Sequence, residues 1–269
     1  PDPMHRRTFL SSATVLILGG PLMRSATAQQ AGALGSAFGR LSQMHALLVR
    51  RGDETVFAAA RRGGLDSAAN IKSCSKSLVG LLLGAAIARG EIADVRARLG
   101  DVAPGLIPRD ATEGVADITM EDLVTLRGGL ASTSGANYGA WVGSRNWVSY
   151  VLRQPMVARP GSRMIYSTGS THVLGAALAE ATGMTLLAQA RERIGRPMGI
   201  EIPAWTADPQ GYYFGGNQMA LTPRAMLQIA AMMRDGGRHE GRQVVSADWL
   251  RDSLQPRTLS PFSGMAYGY

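Results

Sequence analysis

Between Ser73 and Arg89 the chain reads SCSKSLVGLLLGAAIAR, and Lys76 is the one charged residue before the closing arginine. A helix of this composition has no polar face to offer water, so it must be buried all round. Gly90 supplies its stop. Other elements have to wrap around such a helix, which makes this run the centre of whatever fold the chain adopts. The lysine inside it is the anomaly. The sequence holds two lysines, Lys72 and Lys76, against 26 arginines. A genome rich in Arg codons explains the scarcity and leaves the clustering in NIKSCSKS, residues 70–77, to chance. The chemical alternative is that lysine, unlike arginine, loses its proton when desolvated. A base of that kind beside a hydroxyl makes a nucleophile. Ser73 precedes Lys76 by three residues, so at a helix start the two side chains share a face. Ser-x-x-Lys alone is a short pattern that arises often by accident.

The rest of the chain bounds the possibilities. At 269 residues, 45% hydrophobic and 18% charged, it has the composition of a globular protein with a sizeable core. Residues 1–28 read as a secretory signal, with Pro1–Pro3 ahead of the start at Met4. The signal has a charged beginning (His5-Arg6-Arg7-Thr8-Phe9-Leu10), an apolar run to Leu22, and a small-x-small site at Ala26-Thr27-Ala28. The Arg-Arg-x-Phe-Leu start is similar to twin-arginine signals, so a periplasmic or secreted product of residues 29–269 is expected. An uncleaved anchor is the alternative, though Gly19-Gly20-Pro21 interrupts the run. Removal takes away three Arg and one Asp and lowers the net charge from +8 to +6. The remaining arginines are scattered, which speaks against nucleic acid as a partner. No stable membrane insertion is expected once the signal is gone. The lone Cys74 rules out a disulfide within this chain and reads either as a thiol nucleophile or as a small buried hydrophobe. The histidines at 5, 45, 172 and 239 lack metal-ligand spacing. No Gly-x-Ser-x-Gly elbow is present, against an α/β-hydrolase.

Local patterns place the elements. Residues 45–51 and 55–60 form a hairpin about Gly52-Asp53-Glu54. Helices are expected over 73–89, over 119–126 with Thr119 as cap, and over 144–153, 170–180 and 185–194. Others are expected from Thr222-Pro223 to about Arg234 and over 246–254. The ending Met265-Ala-Tyr-Gly-Tyr269 reads as the start of a strand, as though further strands belong to the gene product.

Several ordered segments then resemble the penicillin-recognising serine hydrolases, the superfamily of class C β-lactamases, DD-peptidases, related esterases and 6-aminohexanoate-dimer hydrolases. Ser73-Cys-Ser-Lys76 matches the first motif. Ile118-Thr119…Leu123-Val-Thr125 with Gly129-Leu130 resembles the "ITxxxLLTxxSGL" segment, Gly128 standing where Ser is usual. Pro160-Gly161-Ser162 leading to Tyr166-Ser167-Thr168-Gly169 resembles the second motif. Gly215-Gly216 with Leu221-Thr222-Pro223-Arg224, and the 238–249 segment ending in Trp249, follow in the family's order. The resemblance runs over about residues 40–269. It implies an α+β, β-lactamase/transpeptidase-like fold: an antiparallel sheet flanked by helices, a helical subdomain, and C-terminal strands beyond Tyr269.

The resemblance also implies a chemistry without metal or cofactor. Ser73 would attack a carbonyl to form an acyl-enzyme, with Lys76 and Tyr166 sharing base and acid duty and the Ser73 N–H as an oxyanion donor. A core tyrosine bonded to backbone is the plainer reading of Tyr166. Where many relatives carry Tyr-x-Asn, this chain has Thr168. Tyr-Ser-Thr-Gly, together with Trp147-Val-x-Tyr150-Val-Leu152, resembles the aminohexanoate-dimer hydrolase and esterase branch. A small amide or ester is the expected substrate, contacted by Thr168, Tyr138, Trp141 and Asn217, with packing the competing use for the aromatics. Lys72 fits no motif and reads as a solvated charge at the rim. A penicillin-binding module that acylates with slow turnover, and an inert scaffold of the same fold, stand as alternatives to the hydrolase.

Overall fold

A computed structural model describes residues 20–269; the expected signal falls largely on residues 1–19, outside the described residues. The chain divides into two compact units, Pro1–Gly64 and Leu65–Tyr269.

In the first unit, helix α1 (Gly20–Arg40) is followed by strands β1 (Ala46–Arg51) and β2 (Glu54–Ala60). The strands pair antiparallel from Ala46 with Ala60 to Arg51 with Glu54, and a bulge falls between Val49 and Arg50. This is the hairpin read from the sequence. Phe57 meets Phe38 edge-on at 6.4 Å, and the Arg61 guanidinium lies 4.6 Å over the Phe38 ring. The single pair is thus tied to the end of α1 by aromatic and cation–π contacts.

The second unit opens with strand β3 (Ala69–Asn70) and a 3₁₀ turn, Lys72–Cys74, that runs into helix α2 (Ser75–Ala88). As its composition demands, α2 is the central helix: Val79, Leu82, Leu83 and Ala86 are wholly buried. After it come α3 (Leu99–Val102), α4 (Met120–Val124), α5 (Tyr138–Val142), α6 (Trp147–Leu152) and α7 (Thr168–Thr182). Then follow α8 (Leu186–Ala190), α9 (Arg196–Met198), strand β4 (Ala220–Leu221) and α10 (Pro223–Arg234). The unit ends with β5 (Arg238–His239), β6 (Arg242–Gln243), α11 (Ala247–Ser253), β7 (Thr258–Leu259) and β8 (Ala266–Tyr267). Helix α2 packs on α4, α7 and α8, and α7 packs in turn on α3, α4 and α6. A fully buried leucine contributes about 1.5–3 kcal/mol, so this helix pair carries much of the unit's hydrophobic stability.

Side-chain caps set five of the helix starts. The Thr119 hydroxyl accepts from the Asp122 N–H while the Asp122 carboxylate accepts from the Thr119 N–H, a reciprocal capping box. Asn146, Thr185, Thr222 and Ser246 cap α6, α8, α10 and α11. Some expected helices prove shorter. The 119–126 helix ends at Val124 because Leu126 turns left-handed at φ 60°. The 144–153 helix begins only after Asn146. The 185–194 helix widens into a π-turn over Arg191–Gly195, which places the buried Arg193 in a bidentate pair with Glu91, both bonds 2.8 Å.

Strands among the described residues pair two at a time, β1–β2, β3–β4, β5–β6 and β7–β8, all antiparallel. The antiparallel, α+β character is as expected, but the sheet is present as short pairs rather than one wide layer. The strand-like ending folds back: β8 pairs with β7, and Tyr269 stacks on Trp249 at 5.1 Å. Gly84 of α2 faces that indole, and a Cβ built there overlaps its ring atoms. Gly84→Ala should therefore lower unfolding stability by about 1–3 kcal/mol, because the buried Trp249 has to move. Urea denaturation of the variant against the parent checks this.

Candidate active site

The 3₁₀ turn that opens α2 sets the geometry of the site. Lys72 is left-handed, at φ 51°, a conformation that costs a non-glycine residue on the order of 1 kcal/mol or more. Its N–H donates to Asn70 Oδ1 at 2.8 Å and its carbonyl accepts from Ser75 Oγ at 2.6 Å, which hold the turn. Ser73 is thereby exposed at the mouth, while Lys76, one turn on, is buried.

Lys76 Nζ donates to the Gly216 carbonyl at 2.7 Å and lies 3.2 Å from Ser73 Oγ and 3.5 Å from Thr168 Oγ1. Tyr166 Oη donates to Ser73 Oγ at 2.8 Å, and the lysine nitrogen lies 5.0 Å over the Tyr166 ring. Burial lowers the Lys76 pKa from 10.5 to about 8, against a smaller opposing effect of Cys74. Among the described residues no carboxylate is a hydrogen-bond or ion-pair partner of Lys76 Nζ, so no ion pair offsets the effect of burial. A neutral amine has two N–H groups and one lone pair. Gly216 O and Thr168 Oγ1 can take the two N–H groups, which aims the lone pair at Ser73 Oγ.

A ladder of hydroxyls that sequence reasoning missed holds the second motif in register. Ser132 Oγ donates to the Tyr166 carbonyl at 2.6 Å, and Thr133 Oγ1 lies 3.0 Å from Ser167 Oγ. Ser134 Oγ accepts from the Thr168 N–H and lies 2.9 Å from Thr168 Oγ1. The signal was present as two hydroxyl-rich triplets, 132–134 and 166–168, but their pairing is tertiary. The hairpin β7–β8 adds Phe262, edge-on to Tyr166 at 6.0 Å, and Tyr267, whose phenol burial and nearby Tyr166 push up to about 12.

Other expected contacts fall elsewhere. Trp141 is wholly buried and cannot line a cleft; it packs on Trp147, His172 and Phe214, and its Nε1 donates to the Trp147 carbonyl. Tyr138 is half-buried and joins the same cluster, stacked on Phe214 at 6.3 Å. Asn217 follows the carbonyl that holds Lys76 and accepts from the Gln218 N–H through its own Oδ1. Cys74 is exposed rather than a buried hydrophobe; it closes the 3₁₀ turn ahead of α2, in which no residue is buried. Lys72 is exposed, as read. Among the described residues no group of His, Cys, Asp or Glu is arranged to hold a metal ion.

The family model for Beta-lactamase matches residues 36–264. The chain therefore belongs to the Beta-lactamase family, within the penicillin-recognising serine hydrolase superfamily that its motifs resemble. A search of curated proteins finds no match. Solved structures share the fold. A Bacillus anthracis protein assigned as a 6-aminohexanoate-dimer hydrolase aligns with 18% identity and a TM-score of 0.69, over 83% of this chain and 63% of its own. EstCE1, a hydrolase with promiscuous acyltransferase activity, aligns with 16% identity and a TM-score of 0.72, over 92% and 83%. An octameric penicillin-binding protein homologue from Pyrococcus abyssi aligns with 17% identity and a TM-score of 0.67, over 88% and 64%. The chain thus spans just under two thirds of the first and third of these relatives.

The lowered Lys76 pKa has a consequence for stability. Between about pH 8 and 10.5 the unfolded chain holds a proton that the native state has released, so this group makes stability rise with pH there. Below pH 8 the cost of the buried ammonium is present in full. Lys76→Met should remove that dependence, and its advantage over the parent should shrink from pH 7 to pH 10. Chemical denaturation at the two pH values reads the difference.

Proposed function

We propose that the chain is a serine hydrolase that cleaves small amides or esters through an acyl-enzyme on Ser73. The observation that carries this reading is the placement of Ser73 Oγ between a buried lysine amine at 3.2 Å and a tyrosine hydroxyl at 2.8 Å. Neutral Lys76 takes the Ser73 proton as Oγ attacks the substrate carbonyl carbon. The new C–O bond gives a tetrahedral oxyanion, which the Ser73 N–H at the start of the turn is placed to receive. As the bond to the leaving amine or alcohol breaks, Tyr166 gives it a proton and recovers one from the Lys76 ammonium. Water, deprotonated by the same pair, then cleaves the ester on Ser73 and restores the hydroxyl.

Lys76 is lysine in this proposal because arginine cannot give up its proton. Thr168 supports the position of the amine, and Phe262 packs edge-on against Tyr166. Export by the twin-arginine route, from Arg6-Arg7-Thr8-Phe9-Leu10, belongs to the same proposal, as does a small-molecule substrate without nucleic acid or membrane partner.

Intact mass after incubation with a fluorophosphonate should show one adduct on the parent and none on Ser73→Ala. Lys76→Arg should slow the labelling by about a hundredfold or more, the usual weight of a general base. A parent that takes no label while folded by circular dichroism would overturn the reading. A p-nitrophenyl ester then separates the two modes of use: continuous release marks a hydrolase, and a single burst with a lasting adduct marks a slow-turnover acylating module.

A further inference from the structure

His172 and Asp208 form a wholly buried pair, with Nε2 3.1 Å from Oδ2 and neither side chain exposed. Trp141, Trp147 and Phe214 surround the imidazole at 5.9, 5.4 and 5.7 Å between ring centroids, and Asp208 is its only charged partner among the described residues. A histidine buried among aromatic rings beside a carboxylate is costly unless each polar atom is used. Here each is used. The Gly215 N–H donates to Nδ1 at 3.4 Å, so the imidazole proton sits on Nε2 and is given to Asp208. The other carboxylate oxygen, Oδ1, accepts the N–H groups of Gln210 and Tyr212, both at 2.9 Å.

The next residue along the chain is Gly216, whose carbonyl holds Lys76 Nζ in the shortest contact that the amine makes. Neither glycine has room for a side chain: a Cβ on Gly215 runs into the Thr171 carbonyl, and one on Gly216 approaches the Thr168 carbonyl at 2.8 Å. The loop is thus pressed onto the first turn of α7. That helix reaches Lys76 twice, directly through Thr168 and, four residues on, through His172 and the glycine pair.

We propose that His172 and Asp208 are positioning residues for the reaction: Asp208 selects the imidazole tautomer that accepts the Gly215 N–H, and this bond aims the Gly216 carbonyl at Lys76. The inference rests on the serine hydrolase reading above and adds to it a buried pair that lies outside the reacting groups.

The isosteric change Asp208→Asn tests it. The amide that replaces the carboxylate keeps an oxygen for the Gln210 and Tyr212 N–H groups and turns its NH₂ toward His172 Nε2. The imidazole proton then moves to Nδ1 and meets the Gly215 N–H donor to donor, the tautomer logic known from hydrolytic triads. Long-range ¹H–¹⁵N spectra should show the switched tautomer. The limiting rate of fluorophosphonate labelling should fall by about tenfold or more, with the half-saturating probe concentration unchanged. The alkaline rise of labelling, near pH 8 in the parent, should move to lower pH, because the carbonyl that favours the ammonium form is lost.

His172→Asn provides the conservative counterpart. Its side-chain oxygen can accept the Gly215 N–H without any tautomer, so the pH rise should stay in place and the limiting rate should recover to within about threefold of the parent, under 1 kcal/mol. An Asp208→Asn chain that keeps its Nε2 proton, or that switches tautomer yet keeps the parent's rate and pH rise, overturns the proposal. So does an equal loss in both variants with the pH rise unmoved, which marks packing alone. A parent that takes no label on Ser73 fails the hydrolase reading instead, and the spectra still show whether Asp208 sets the tautomer.

Discussion

A lysine amine held out of water is the constraint around which this structure is arranged. Lys76 sits in the first turn of the apolar helix α2, and among the described residues its partners are a backbone carbonyl and two hydroxyls rather than a carboxylate. Pairing with Asp or Glu would be the ordinary way to accept a buried ammonium, and it would fix the charge. Leaving that partner out lowers the pKa to about 8 and keeps a titratable base. The cost is borne by the packing of α2 against α4, α7 and α8, which excludes the water that would otherwise solvate the amine.

Holding one amine in one place takes more of the molecule than the three motif residues. The left-handed Lys72 turns the chain so that Ser73 faces out and Ser75 faces in, and Asn70 and Ser75 pin that turn from both sides. The hydroxyl ladder from Ser132 to Ser134 ties down Tyr166 to Thr168. The glycine pair Gly215-Gly216 supplies a carbonyl from a third direction. Three segments far apart in sequence therefore meet at Lys76 Nζ, each fixed by short polar contacts that tolerate little displacement. The aromatic cluster of Tyr138, Trp141, Trp147 and Phe214 stands behind this arrangement as support.

Much of the fold was readable because its signals are local. Apolar runs, caps such as Thr119, Thr222 and Ser246, and the turn at Gly52-Asp53 depend on neighbours within a few residues. The errors lie where distant contacts overrule local preference. Leu126 ends a helix whose local stop signal is the Gly128-Gly129 pair, and the π-turn at Arg191–Gly195 carries the buried Arg193 that pairs with the distant Glu91. The aromatic residues after the Gly-Leu segment suit a cleft or a core equally well by local pattern, and Trp141 went to the core because Phe214 and His172 come to it from other segments.

The sequence by itself determined that α2 would be central, since a helix without a polar face has no other place. It also determined that Ser73 and Lys76 would come together where that helix begins, since their spacing is a single turn. Tertiary structure alone decided what surrounds the amine. Whether a lysine keeps or loses its charge depends on which groups arrive from the 132–134, 166–168 and 215–216 segments, and no local rule brings those together. The tautomer of His172 belongs to the same class: it is set by a carboxylate 36 residues away and a backbone N–H 43 residues away, which only the packed chain places on either side of the ring.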